Sequence, residues 1–188
     1  MPKALDVAQY IYDSKGWIDA WRLAKLTYYA QAWSLGWRGR PMISEEFQAW
    51  TDGPVEPQLH AANRYNRSSL LSTDIPGSDV SRLSDDDMLI IDSIIDYYGD
   101  LSKLELIELT HSEQPWLEAR KNIPDGEKSR APLSEATMRR FYSTQAALGE
   151  SGPVRPDLHT EWDSGREWEF MMRATERWAM ALELLADR

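Results

Sequence analysis

The chain has 188 residues, 31 acidic against 21 basic side chains, a formal net charge of −10, no cysteine and nine tryptophans. Its length and 42% hydrophobic content fit one folded domain, or a domain with an appendage, and exclude a disordered chain. The lack of cysteine rules out disulfides, thiol nucleophiles and cysteine-ligated zinc, and the acidic balance argues against coating DNA or RNA, which takes a basic footprint.

No apolar run approaches the roughly 18 residues of a membrane span, and the first residues, MPKALDVAQY, lack the apolar core of a signal peptide. The expectation is a cytoplasmic protein with no membrane contact. Apolar spacing is helical nearly throughout, which predicts a mainly α, compact multi-helix domain. Pro2 suits a first helical turn, Leu5, Ala8, Ile11 and Tyr12 share a face, and Gly16 stops the segment. Asp19 is placed to cap a second helix, in which Leu23, Leu26, Ala30, Trp33 and Trp37 form a buried stripe; Gly36, Gly39 and Pro41 are expected to end it. Trp21, Tyr28, Tyr29, Trp33 and Trp37 crowd this one helix and cannot all face a single core.

Over residues 41–55 the helical period breaks. The partial alternation from Glu46 to Thr51 and the turn signal Asp52-Gly53-Pro54 predict a small β element near residues 43–51. Pro57 opens a helix carrying Leu59, Ala62 and Tyr65, and residues 66–81 read as loop. Ser84 followed by Asp85, Asp86 and Asp87 is a strong helix start, with acids on the positive end of the dipole. Two apolar stripes follow, Met88/Ile91/Ile95/Tyr98 and Ile90/Ile94/Tyr97, so this helix is expected to be central. Ser102 and Glu105 have capping-box spacing for a helix through Leu109, Pro115-Trp116 starts a short turn, and Ser134 caps a helix with Met138, Phe141 and Tyr142. The division expected is a domain over residues 1–148, a linker over 149–165 and a C-terminal amphipathic helix over 166–188. In that helix Trp168, Met171, Thr175, Trp178, Leu182 and Leu185 step along one face.

Catalytic signals are few. His60, His111 and His159 lie about fifty residues apart with no ligand spacing, and none of the phosphate-loop, nucleophile-elbow or zinc-protease motifs occurs. No cofactor, metal or catalytic residue is assigned, and the expectation is a binding protein, not an enzyme. The rival is a small enzyme that uses His60 or His111 with nearby carboxylates.

Three blocks then carry a resemblance. Leu23-Ala24-Lys25-Leu26-Thr27-Tyr28-Tyr29-Ala30-Gln31-Ala32-Trp33, Gly39-Arg40-Pro41-Met42, and Glu46 through Ala49-Trp50-Thr51-Asp52-Gly53-Pro54-Val55 resemble the signature of the Panacea domain, found in SocA-like antitoxins and phage-associated GepA-like proteins. A later block, Leu101 to Thr110-His111 with Pro115-Trp116 and Ala119-Arg120, is similar to the same family. Its motif positions here are Lys25, Tyr28, Trp50, Gly53, Pro54, Val55, His111, Pro115 and Trp116. Where many members carry a Tyr after this signature, the chain has His60. The blocks begin close to Met1, so an N-terminal DNA-binding domain and direct nucleic-acid binding are not expected.

The resemblance implies an antitoxin of a toxin–antitoxin system. Its partner would be a cognate protein toxin, encoded by the adjacent gene and neutralised by direct protein–protein binding. One branch of the family instead delivers its toxin to a ClpXP-type protease, which is the alternative. Candidate toxin contacts are the acidic run Asp85, Asp86 and Asp87 and, on the terminal helix, Trp168, Trp178 and Leu182; that helix either enters a partner groove or folds back on its own domain.

Overall fold

A computed structural model describes residues 1–65, 68–124, 126–149 and 152–159, with only the backbone at Tyr65. The chain divides into two units, 1–157 and 158–188, and the elements named here belong to the first. They are α1 (Ala4–Lys15), α2 (Ala20–Arg38), β1 (Gln48–Trp50), β2 (Gly53–Val55), α3 (Pro57–Tyr65), α4 (Asp85–Tyr98), α5 (Lys103–Ser112), α6 (Gln114–Arg120) and α7 (Glu135–Leu148). The mainly α architecture with one small antiparallel hairpin is as the sequence predicts. The terminal helix expected over 166–188, with Trp168, Trp178 and Leu182, lies outside the described residues.

Local chemistry sets most helix ends. Asp19 accepts from the backbone N–H groups of Trp21 and Arg22, Ser84 from Asp87, Ser102 from Glu105 and Ser134 from Thr137. Gly39, at φ 68°, supplies the left-handed residue that closes α2. Two details differ from expectation. Pro2 precedes α1, because the Asp6 carboxylate accepts from the Lys3 N–H and makes Lys3 the cap. Pro115-Trp116 opens a true helix, α6, instead of a turn.

The central element is α2, not α4. Helices α1, α3, α4, α5 and α7 and strand β2 all pack on it. Buried on every side, α2 accommodates its aromatic crowding: Tyr28, Tyr29, Trp33 and Trp37 are inside, and Trp21, in the first turn, is 46% exposed. Helix α4 packs on α1 and α2 through Ile90, Ile91, Ile94 and Tyr98, while Tyr97 turns outward.

The polar side chains of α2 hold the segment that follows it. Gln31 accepts from the N–H groups of Met42 and Ile43 and donates to the Ile43 carbonyl. Ser34 donates to the Arg40 carbonyl, and Arg38 forms a 2.7 Å ion pair with Asp87 at the start of α4. These bonds satisfy backbone groups that would otherwise be buried without partners. The hairpin pairs Gln48 with Val55 and Trp50 with Gly53, and residues 131–133 lie along β1, with Ala49 N–H donating to Ala131 and Leu133 N–H to Phe47.

Gly36 does not end α2. A Cβ there would lie 2.8 Å from Cβ of Tyr142, so glycine is what lets α7 approach. Replacing Gly36 by valine forces these helices apart; urea denaturation should show a loss of about 2–4 kcal/mol, near the upper range for overpacking.

Candidate functional site

The family-signature residues converge on the hairpin. Lys25 runs from α2 beneath the β1–β2 turn, where it is 1% exposed and its ammonium donates to the Pro54 carbonyl at 3.2 Å. Gly53 has φ 98°, and a Cβ on it would lie 2.7 Å from Lys25 Cε and 2.8 Å from Thr110 Oγ1. Only glycine meets both demands, the left-handed backbone and the close approach of α2 and α5. Burial pulls the Lys25 amine down to about 7, with the Asp52 carboxylate opposing and the Lys103 charge adding to the fall.

Around this buried amine the turn is clamped from three sides. His111 stacks on Trp116 with ring centroids 3.8 Å apart, and Trp116 Nε1 donates to the Trp50 carbonyl at 3.2 Å. Arg120, buried beside Trp116, donates to the carbonyls of Ala49 at 3.0 Å and Glu127 at 2.7 Å. Trp50 packs edge-on against His60, and its indole donates to Gln48. At the tip, Trp21 donates to Asp52 at 3.2 Å while the Lys103 ammonium sits 3.8 Å from the Trp21 ring centre. Burial lowers the His111 pKa, helped by the charges of Lys25 and Arg120, and its buried Nε2 has no hydrogen-bond partner among the described residues.

Lys25, Trp50, Gly53, Pro54, His111 and Trp116 therefore form one cluster from three separated stretches of chain. Val55 is buried next to it in β2, and Pro115 is buried in the first turn of α6. Tyr28 belongs to a different group, behind the hairpin. Its ring packs on Phe47, and its hydroxyl lies 3.4 Å from that of Tyr142.

That second group holds a side chain the sequence reading missed. Glu113, the residue between α5 and α6, is 7% exposed, and its carboxylate accepts from Tyr142 at 2.7 Å and Tyr29 at 3.2 Å. Burial raises its pKa to about 7, only partly offset by the two tyrosine donors. Tyr98 stacks flat on Tyr29 at 4.0 Å and accepts from Trp33 Nε1, extending the network into α4.

The comparisons with known proteins bear on this geometry. The model of the family described as "Antitoxin SocA-like, Panacea domain" matches residues 23–117, half of the chain. The chain belongs to that family. The matched stretch spans α2 through the start of α6, and so contains the hairpin, Lys25 and the His111–Trp116 stack. Membership supports a general antitoxin role. No curated protein and no solved structure matches the chain. Among the described residues no three histidine or carboxylate side chains cluster as metal ligands, and no helix is long and apolar enough to cross a membrane.

The acidic run fares differently from the signature. Asp87 is buried, caps α4 and pairs with Arg38, and Asp86 is also buried; Asp85 alone of the three is exposed. This corrects the expectation of an acidic run open to a partner: two of its charges serve the α4 terminus and its packing.

The two buried titratable groups pull stability in opposite directions. Unfolded, Glu113 ionises near 4.5; folded, it keeps its proton to about 7, so the native state binds more protons in that window and stability falls as pH rises through it. Lys25 is protonated to about 10.5 when unfolded and to about 7 when folded, so its burial penalty is full below 7 and is relieved as pH rises towards 10.5. Urea unfolding across pH should show that Glu113→Gln removes an acid-side decline on the order of 3 kcal/mol, and Lys25→Met removes a larger alkaline-side rise, on the order of 5 kcal/mol.

Proposed function

We propose that this chain is the antitoxin of a toxin–antitoxin pair, neutralising a protein toxin encoded beside it by direct, stoichiometric binding. The observation that carries the reading is the family match over residues 23–117, together with the assembly of the matched signature into a single braced hairpin. The hairpin's signature side chains are spent on backbone carbonyls and ring stacking, which supports a scaffold role for the motif and a partner surface elsewhere on the same domain. Lys25 bonds the Pro54 carbonyl and His111 faces Trp116, so neither presents an accessible nucleophile or base of the kind an enzyme uses. We therefore read the chain as a binding protein without catalytic activity. Its charge of −10 favours capture of a basic toxin, through faster encounter at low salt.

Expression of the neighbouring gene, alone and with this one, tests the proposal. The neighbour should arrest growth alone, growth should recover with this chain present, and the two proteins should co-purify at equal stoichiometry from cells lacking ClpXP. A harmless neighbour, or toxicity that persists, contradicts the reading. Rescue that requires the protease favours the delivery alternative over direct inhibition.

A further inference from the structure

The outer face of α4 has the makings of a partner surface. Residues 83–102 contain six aspartates and no lysine or arginine. Asp86 and Asp87 are used inside, whereas Asp85, Leu89, Asp92 and Asp96 step by 4, 3 and 4 along α4; Asp85, Leu89 and Asp96 are exposed, Asp92 is half-buried at the edge that meets Tyr10 of α1, and Tyr97 stands at the other margin.

This face is not acid alone. Leu89 and Tyr97 are 38% and 41% exposed, and Tyr97 stands edge-on against buried Tyr98 with ring centres 4.7 Å apart, which holds its orientation before any partner arrives. Ser93 donates to the Val154 carbonyl at 2.6 Å, bringing the 82% exposed Val154 alongside. Exposed apolar side chains bordered mainly by aspartates supply the centre and rim of an interface.

The surrounding cations leave most of that charge in place. Lys15 on α1 pairs with Asp100 and Arg38 on α2 with Asp87, while Asp92 accepts from the neutral Tyr10 hydroxyl. Arg155 is exposed next to Val154. Among the described residues Asp85 and Asp96 have no ion pair. A second copy of the chain would set aspartate against aspartate, so the face does not suit self-association.

From this charge and shape we infer that the outer face of α4, centred on Leu89 and Tyr97 and framed by Asp85, Asp92 and Asp96, docks a basic protein surface carrying an apolar contact. Resting on the antitoxin reading, the occupant is the toxin, through a basic patch complementary to these aspartates.

The probe is the purified product of the adjacent gene, titrated calorimetrically with the full chain at low and moderate salt. Asp85→Lys with Asp96→Lys should weaken binding on the order of 30-fold, and Tyr97→Ser about 10-fold. Wild-type affinity should fall with added salt. A charge-matched control, Glu108→Lys with Glu127→Lys, on exposed positions away from α4, should stay within about 3-fold, since it changes only the long-range field. Thermal melts within a few degrees of wild type establish that the variants fold.

If the α4 variants bind as tightly as wild type, or the control loses as much, the inference falls while neutralisation stands. A change in the chain's own mass by light scattering in the α4 variants would give the face to a second copy and also overturn it. Failure of the wild-type chain to bind its neighbour's product would overturn both the inference and the reading it rests on.

Discussion

The structure depends on the burial of α2 on all sides. A helix with neighbours all round has no solvated face for its polar side chains, so each must find a partner inside. Here the partners are the backbone groups of the chain that leaves α2: Gln31 takes Met42 and Ile43, Ser34 takes Arg40, and Lys25 takes Pro54. Burial cost thus becomes the device that fixes the course of residues 40–55, which have little regular structure of their own. The hairpin is placed by the helix beneath it more than by its three-residue strands.

The same principle explains why the antitoxin signature contains both lysine and glycine. Lys25 reaches the turn only if nothing occupies the space beneath it, and Gly53 is the residue that leaves that space. Trp116, His111 and Arg120 complete the clamp from α5 and α6, each through a backbone carbonyl or a stacked ring. A motif spent in this way specifies a scaffold. Partner recognition then falls to surfaces that can change without disturbing it, such as the outer face of α4.

The helices and their ends were legible because caps and periods are local. Asp19, Ser84, Ser102 and Ser134 act where their spacing places them, and the Asp52-Gly53-Pro54 signal marks the hairpin, whose turn is Thr51-Asp52 and whose second strand begins at Gly53. What escaped was set by partners distant in sequence. Glu113 has no local mark of burial, because Tyr29 and Tyr142, which enclose it, are 84 and 29 residues away. Asp87 looks like a free charge until Arg38 arrives from α2, and Gly36 looks like a stop signal until Tyr142 packs on it. The crowding of large apolar residues around every side of α2, with a single lysine among them between Leu23 and Leu35, was the one local sign that this helix is central and that Lys25 is buried.

Native-state hydrogen exchange tests the primacy of α2 most directly. The amides from Leu26 to Leu35 should be the slowest in the described domain and should exchange only through global unfolding, at the free energy that denaturant titration gives. Exchange of these amides through a cheaper local opening, with α1 or α7 still protected, would contradict the account.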